Sequence, residues 1–236
     1  MAAALRRGIV RWLPWVVVAL AALVVVPQLW FAAHIWWWRD HPVGETTFMA
    51  WRMDELHAKN PKAQQKYAWV PYERISPNLK RAMIAAEDAK FVDHEGFDWD
   101  GIQLSLEKNQ KKGHVVAGGS TITQQLAKNL FLSPSRSYLR KAEEAVITVL
   151  LEAMLPKQRI FELYLNVIEW GNGVFGAEAA AQRYFGISAA QLSAEQAARL
   201  AAMLPRPQFY DRNRNSAYLA KRVPVILQRM NQVEAP

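Results

Sequence analysis

The chain has 236 residues, half of them hydrophobic, enough for one globular domain and an appendage. Its formal net charge of +8 points to an anionic partner such as a lipid surface or a phosphorylated substrate. The lack of zinc-finger or RNA-binding fingerprints, and of any dense basic run, argues against nucleic acid. With no cysteine, disulfides and thiolate metal sites are excluded.

Residues 12–38, WLPWVVVALAALVVVPQLWFAAHIWWW, form a cation-free hydrophobic run interrupted only by Pro14, Pro27, Gln28 and His34. At about 1.5 Å per residue, a helix of this length crosses a bilayer core. Trp12 and Trp15 mark one end and Trp36, Trp37 and Trp38 the other, as interfacial aromatic belts do. Arg6, Arg7 and Arg11 precede the run, and only Arg39 and Asp40 directly follow it. The positive-inside rule therefore places residues 1–11 in the cytoplasm and the main domain across the membrane. A cleaved signal peptide is the alternative, but the run exceeds a normal signal core and lacks an obvious small-residue cleavage site. Residues 39–70 read as a juxtamembrane connector with a short helix around 48–59, and residues 71–236 as the main domain.

The segment 82–98, AMIAAEDAKFVDHEGFD, gathers Glu87, Asp88, Asp93, His94, Glu95 and Asp98 beside apolar Met83, Ile84 and Phe91. Carboxylates ending an Ala, Met and Ile run are costly unless used or paired. Ser76 as cap and Pro77 at the first helical position predict a helix to about Lys90. Glu87 then sits one turn beyond Met83 and Ile84, where burial would raise its pKa towards the range of a general base. A salt bridge to Lys80 or Lys90 explains the same residue equally well. His94 reads as a hydrogen-bonding loop residue, since no HExxH or related ligand spacing accompanies it.

The glycine-bounded loop 113–119, with room for a small hairpin around 110–118, leads into GGSTITQQLAKNLF at 118–131. Thr121 and Gln124 suit a capping box, which predicts a helix start. Ile122, Leu126 and Leu130 give an apolar stripe. Gln124 and Lys128 share another, with Gln125 and Asn129 beside it. Paired glycines before a helix N-terminus, with a lysine one turn in, can receive an anion. The amides suit sugar hydroxyls; an ordinary amphipathic helix is the plain alternative. The P-loop spacing is absent.

Residues 136–155 predict a helix with Leu139, Val146, Val149, Leu150, Ala153 and Met154 on its core face. Arg140 and Lys141 can cluster with Glu144, either as a weak surface ion pair or as a carboxylate embedded in a cationic patch. Residues 157–170 predict a helix stopped by Gly171, with Tyr164, Leu165 and Ile168 in the core. An Ala-rich helix ending at Gly186 follows. A helix capped by Ser193 and Gln196 then runs to Leu204, where Pro205 and Pro207 stop it. The amphipathic tail 215–230, interrupted by Pro224, is assigned no catalytic role. No convincing alternating strand run is present, so the class is mainly α with at most a minor β element.

Four blocks, AAEDAKFVDHEGFD, GGSTITQQLAKNLF, RKAEE and RIFELYLNVIEWGNGVFGAEAAAQRYFG, span residues 82–186 and together resemble the peptidoglycan glycosyltransferase family, specifically its monofunctional, membrane-anchored members. The resemblance implies a mainly α, lysozyme-like domain with a small membrane-associated jaw, preceded by one transmembrane helix. It implies a bacterial inner-membrane protein with its catalytic domain in the periplasm. It also implies polymerisation of lipid II. The growing glycan on undecaprenyl pyrophosphate is the donor, the 4-hydroxyl of a lipid II GlcNAc attacks with inversion, and no transpeptidase activity is expected. On this resemblance Glu87 is the general base and Glu144 assists pyrophosphate departure. Ser120, Gln124, Gln125 and Lys128 contact sugar and pyrophosphate, joined by Arg136, Arg140 and Lys141. Asp88 and His94 support Glu87, and Tyr164 and Asn166 are structural. No cofactor is required and no protein metal cage is expected, although a divalent cation, magnesium or manganese, can accompany the substrate pyrophosphate. Cell-division or elongation proteins are the expected protein partners. The rival readings are a glycan-cleaving enzyme and a non-enzymatic scaffold. The cationic patch argues against cleavage, which expels no pyrophosphate.

Overall fold

The computed structural model describes residues 2–114, 118–135 and 137–236, apart from the side chains of residues 2–14. Helix α1 (Ala2–Trp37) continues through Pro14 and Pro27. Its Trp15–Trp37 part, with a mean hydropathy of 2.4, is long and apolar enough to cross a membrane. Most of that part is exposed, but one face of its C-terminal turns is not. Phe31 and Ile35 are buried, and Trp30, Phe31 and Trp38 close around Phe131 at ring separations of 5.6, 4.9 and 5.3 Å. Arg159 donates to the carbonyls of Trp38 at 2.8 Å and His41 at 2.5 Å. The anchor is thus seated on the body by packing.

The stretch 39–70, expected as a connector, is built into that body. Helix α2 (Thr47–Lys59), capped by Thr46, buries Met49 and Met53. Strand β1 (Lys66–Tyr67) joins a three-stranded sheet. Asn166 brackets Val70, accepting from its N–H and donating to its carbonyl, both at 2.9 Å. Helix α3 (Pro77–Glu87) is capped by Ser76 but ends at Glu87 rather than near Lys90. Asp88 leaves helical geometry there, at φ −159° and ψ 79°, and its carboxylate reaches another helix. Helix α4 (Trp99–Lys112) is capped by Asp98 and ends at left-handed Gly113. It occupies the start of the expected hairpin, whose residues 115–117 lie outside the described residues.

Helix α5 (Ile122–Phe131) begins with the Thr121–Gln124 capping box in place. Helix α6 (Tyr138–Met154) packs on it through Ile147, Thr148 and Leu151. Leu139, Val146, Val149 and Ala153, expected on its core face, are exposed instead, and Leu150 and Met154 are half-buried. Helix α6 is apolar on two sides, and periodicity alone cannot choose between them. Helix α7 (Lys157–Val167) stops before Gly171. Strand β2 (Glu169–Gly171) turns through Asn172–Gly173 and pairs antiparallel with β3 (Val174–Phe175), which pairs parallel with β1. Asn-Gly is the dipeptide that most favours a tight hairpin, and Gly173 has φ +67°. Helices α8 (Ala177–Phe185), α9 (Ala194–Met203), α10 (Pro207–Arg212) and α11 (Ala217–Arg229) complete the body, the last with Pro224 inside it. Helix α9 packs on both α3 and α11, while α5 packs on α2, α6 and α7. Tyr164, Phe161 and Trp170, from α7 and β2, are among the largest fully buried side chains.

Candidate active site

Glu87 ends α3 one turn beyond Met83 and Ile84, which are 0% and 1% exposed. The residue itself is half-buried, and its Oε2 accepts a hydrogen bond from Gln125 Nε2 at 2.8 Å. Neither lysine considered as a salt-bridge partner reaches it. Lys90 pairs with Asp100 at 3.0 Å, and Lys80 lies 3.6 Å over the ring of Tyr72. Burial is the main cause that raises the Glu87 pKa above its ordinary value. Asp88 acts in the same direction, while the Gln125 hydrogen bond and the charges of Arg222 and Lys128 oppose it. A carboxyl held this way binds a proton more readily than an exposed one, as a general base requires.

Asp88 fixes where Glu87 points. Its Oδ2 accepts from the Ile122 N–H at 3.0 Å, at the start of α5. His94 Nε2 lies 3.0 Å from Oδ1 and 3.2 Å from Oδ2. One carboxylate therefore ties the end of α3, the following loop and the N-terminus of α5, which sets Glu87 opposite Gln125. Gly96 closes the same loop. It has φ +84°, and a Cβ there would lie 2.7 Å from Thr148 Cγ2. Gln125 is held from the other side by Tyr164, whose hydroxyl donates to Oε1 at 3.0 Å. Burial pushes that phenol well above its ordinary pKa, so it remains a donor. Tyr164 thus belongs to the core and also orients the glutamine that touches Glu87.

Gln124 was expected both in the capping box and at the sugar, and the structure places it in the box. It is buried, and its Oε1 accepts from the Thr121 N–H at 3.0 Å to close the capping box. Ser120 is exposed, at the rim of a hollow that Glu87 also lines. Lys128 is half-buried and makes no ion pair among the described residues. Burial is the main cause that lowers its pKa. Arg140 and Lys141 push the same way, and Glu144 and Glu87 push against it. Glu144 is 3% exposed. Its Oε2 accepts from Arg140 Nη1 at 2.8 Å and its Oε1 pairs with Lys141 Nζ, so the carboxylate is committed to two cations. Arg136 lies outside the described residues.

Two hollows are lined by the two partners of the Glu87–Gln125 contact, one by Glu87 and the other by Gln125. One, of about 310 Å³, lies between the end of α3, α4 and the glycine loop, with Glu87, Ser105, Ser120 and Arg229 in its wall. The other, of about 500 Å³, lies between α2, α5, β2 and α10. Its wall includes Gln125, Lys128, Asn129, Arg52, Glu169, Arg206 and Arg212. Sequence reasoning missed several of these groups. Arg222 of α11 donates to the Ala86 carbonyl at 3.3 Å and its charge acts on Glu87. The spacing of Arg222 and Arg229, two turns apart on one helix, was the only signal for them. Nothing in the sequence linked Arg52 to Glu169. Among the described residues no group of three His, Asp or Glu side chains gathers to hold a metal ion.

Residues 53–231 match the family model described as Transglycosylase. The chain is 61% identical over 222 residues to a biosynthetic peptidoglycan transglycosylase of Janthinobacterium sp. (strain Marseille), which covers 94% of this chain and 96% of that one. It is 62% identical over 226 residues to a protein of the same description from Dechloromonas aromatica (strain RCB), covering 96% and 98%. Mainly helical, with a lysozyme-like domain and one N-terminal helix consistent with a single-pass membrane anchor, the chain belongs to the transglycosylase family and is a glycosyltransferase of peptidoglycan synthesis.

Proposed function

We propose that the enzyme polymerises lipid II into linear glycan strands by inverting transfer, releasing undecaprenyl pyrophosphate and making no peptide cross-links. The observation that carries this reading is Glu87 in the wall of one hollow, hydrogen-bonded to Gln125 in the wall of the other, with Lys128 in the field of Arg140, Lys141 and Glu144. Joining two lipid-linked sugars needs two saccharide sites, one base between them, and cations for the departing pyrophosphate.

In this mechanism the acceptor sugar occupies the smaller hollow beside Ser120. Glu87 takes the proton of its 4-hydroxyl as the oxygen attacks the donor anomeric carbon from the face opposite the pyrophosphate. The C–O bond to the pyrophosphate breaks, and the leaving group departs with the electron pair. An α-linked donor thereby becomes a β-1,4 bond. Lys128, Arg140 and Lys141 neutralise the leaving group, joined by Arg136 on the family resemblance. Glu144 serves by holding Arg140 and Lys141 in place. A magnesium or manganese ion can accompany the substrate pyrophosphate.

Membrane attachment suits lipid substrates. Helix α1 supplies an anchor, and α4 and α6 expose Trp99, Leu104, Leu106, Leu139, Val146 and Val149, a surface fit for a jaw dipping into the bilayer. Arg6, Arg7 and Arg11 favour a cytoplasmic N-terminus in the inner membrane and a periplasmic catalytic domain. The test is lipid II turnover by the full chain in detergent. Wild type should yield long glycan and free undecaprenyl pyrophosphate, and Glu87→Gln should lose roughly 10²–10⁴-fold of the rate while remaining folded. Release of soluble fragments from sacculi, with no polymer from lipid II, would overturn the reading in favour of glycan cleavage.

A further inference from the structure

We propose that Glu169, held by Arg52 and Gln208, is a saccharide-binding residue that seats N-acetylated hexosamine units of the growing glycan next to the reacting sugar. The inference rests on the glycan-polymerising reading of the same cleft. Two distant elements converge on this carboxylate of β2. Its Oε2 accepts from Arg52 Nε of α2 at 3.0 Å, across 117 residues, and its Oε1 from Gln208 Nε2 of α10 at 3.1 Å, across 39. The Glu169 side chain is only 5% exposed, yet the residue lines the 500 Å³ groove.

A buried ion pair is a poor device for stability alone, because apolar residues of similar volume do as well or better. The placement of this one suits recognition. An ionised carboxylate can accept about four hydrogen bonds, and two are taken, which leaves acceptor capacity for a sugar O–H or an acetamide N–H. The geometry is fixed beforehand. The Arg52 guanidinium lies 4.7 Å from the Trp51 ring and 5.4 Å from that of Phe48, and Phe48 lines the groove as well. A planar acid, side-chain amides and an aromatic face in one groove match the mixed polar and apolar faces of a hexosamine. Gln125 connects this groove to the chemistry, since it lines the groove and bonds Glu87. The proposed catalytic step uses neither Glu169 nor Arg52.

The experiment uses the full chain in detergent micelles and chitotetraose, a soluble β-1,4 tetramer of N-acetylglucosamine, as the probe. Wild type should shift the side-chain amide NMR signals of Gln125 and Gln208 on titration. Glu169→Gln should weaken tetramer binding about tenfold, the loss of one charge-assisted hydrogen bond. It should also raise KM for lipid II more than it lowers kcat, which a merely structural defect would not do. Glu169→Asp keeps the charge, retracts it by one methylene and should weaken binding too. Equal binding by wild type and Glu169→Gln, or a tetramer that shifts neither amide of a wild type that polymerises lipid II, overturns the inference alone. A wild type that makes no polymer from lipid II overturns the parent reading whatever the tetramer does. If both variants fail to fold, the wild-type shift map decides.

Discussion

At Glu87 two demands oppose each other. Burial favours the protonated carboxyl, while proton abstraction needs the charged one. The Gln125 hydrogen bond and the charges of Arg222 and Lys128 moderate the conflict without removing it. The raised pKa stabilises the fold fully below the ordinary value of 4.5, and that contribution is lost as pH rises through the folded-state pKa. Glu87→Gln should therefore melt above wild type at neutral pH, with the gap closing on acidification; thermal scans across pH check this. The rate should fall on the acid side as Glu87 takes its proton. On the alkaline side Lys128, its pKa lowered by burial, should lose its charge earlier than an ordinary lysine. Lys128→Arg should move that alkaline limb upward in a pH–rate profile. Lys128→Ala should cut kcat/KM roughly ten- to hundredfold, and high salt should mimic part of the loss.

The N-terminus of α5 is the element that makes the residues a site. Its orphan N–H groups are taken by Thr121 at Gln124 and by Asp88 at Ile122, and Thr121 also donates to the Gly96 carbonyl at 2.7 Å. Thr121→Ala should cost about 0.5–2 kcal/mol, seen as a lower denaturant midpoint, and Thr121→Ser should recover most of it. Caps of this kind are legible in a sequence because donor and acceptor lie three residues apart. The hairpin at Asn172–Gly173 was not read from the sequence, because its strands, Glu169–Gly171 and Val174–Phe175, are too short to show alternation. The packed face of α6 was not legible, because a helix apolar on two sides carries no mark of which side meets protein.

Across the whole molecule, the anchor and the site are mechanically joined. Phe131 ends α5, the helix that carries Gln125 and Lys128, and its ring is gripped by Trp30, Phe31 and Trp38 at the end of α1. Arg159 of α7 clamps the same end through two carbonyls. Phe131→Ala should cost about 3–5 kcal/mol and lower lipid II turnover along with the melting temperature, both measured in detergent. An unchanged turnover would show that α5 keeps its place without the anchor. Helix α2 adds a second tie, because Arg52 reaches from the membrane-proximal stretch to Glu169 in the groove wall.

The sequence by itself determined the long apolar N-terminal helix, the starts of α3, α5 and α9, and the acidic and cationic residues proposed to carry the chemistry. Each of these depends on neighbours within a few turns, through hydrophobic runs, caps and helical spacing. Tertiary structure alone decided what those residues meet. It set Glu87 against Gln125 rather than a lysine, and brought Arg222 and Arg52 to the cleft. The reason is physical: burial and long-range pairing set proton affinity and orientation, and both depend on residues tens to more than a hundred positions away.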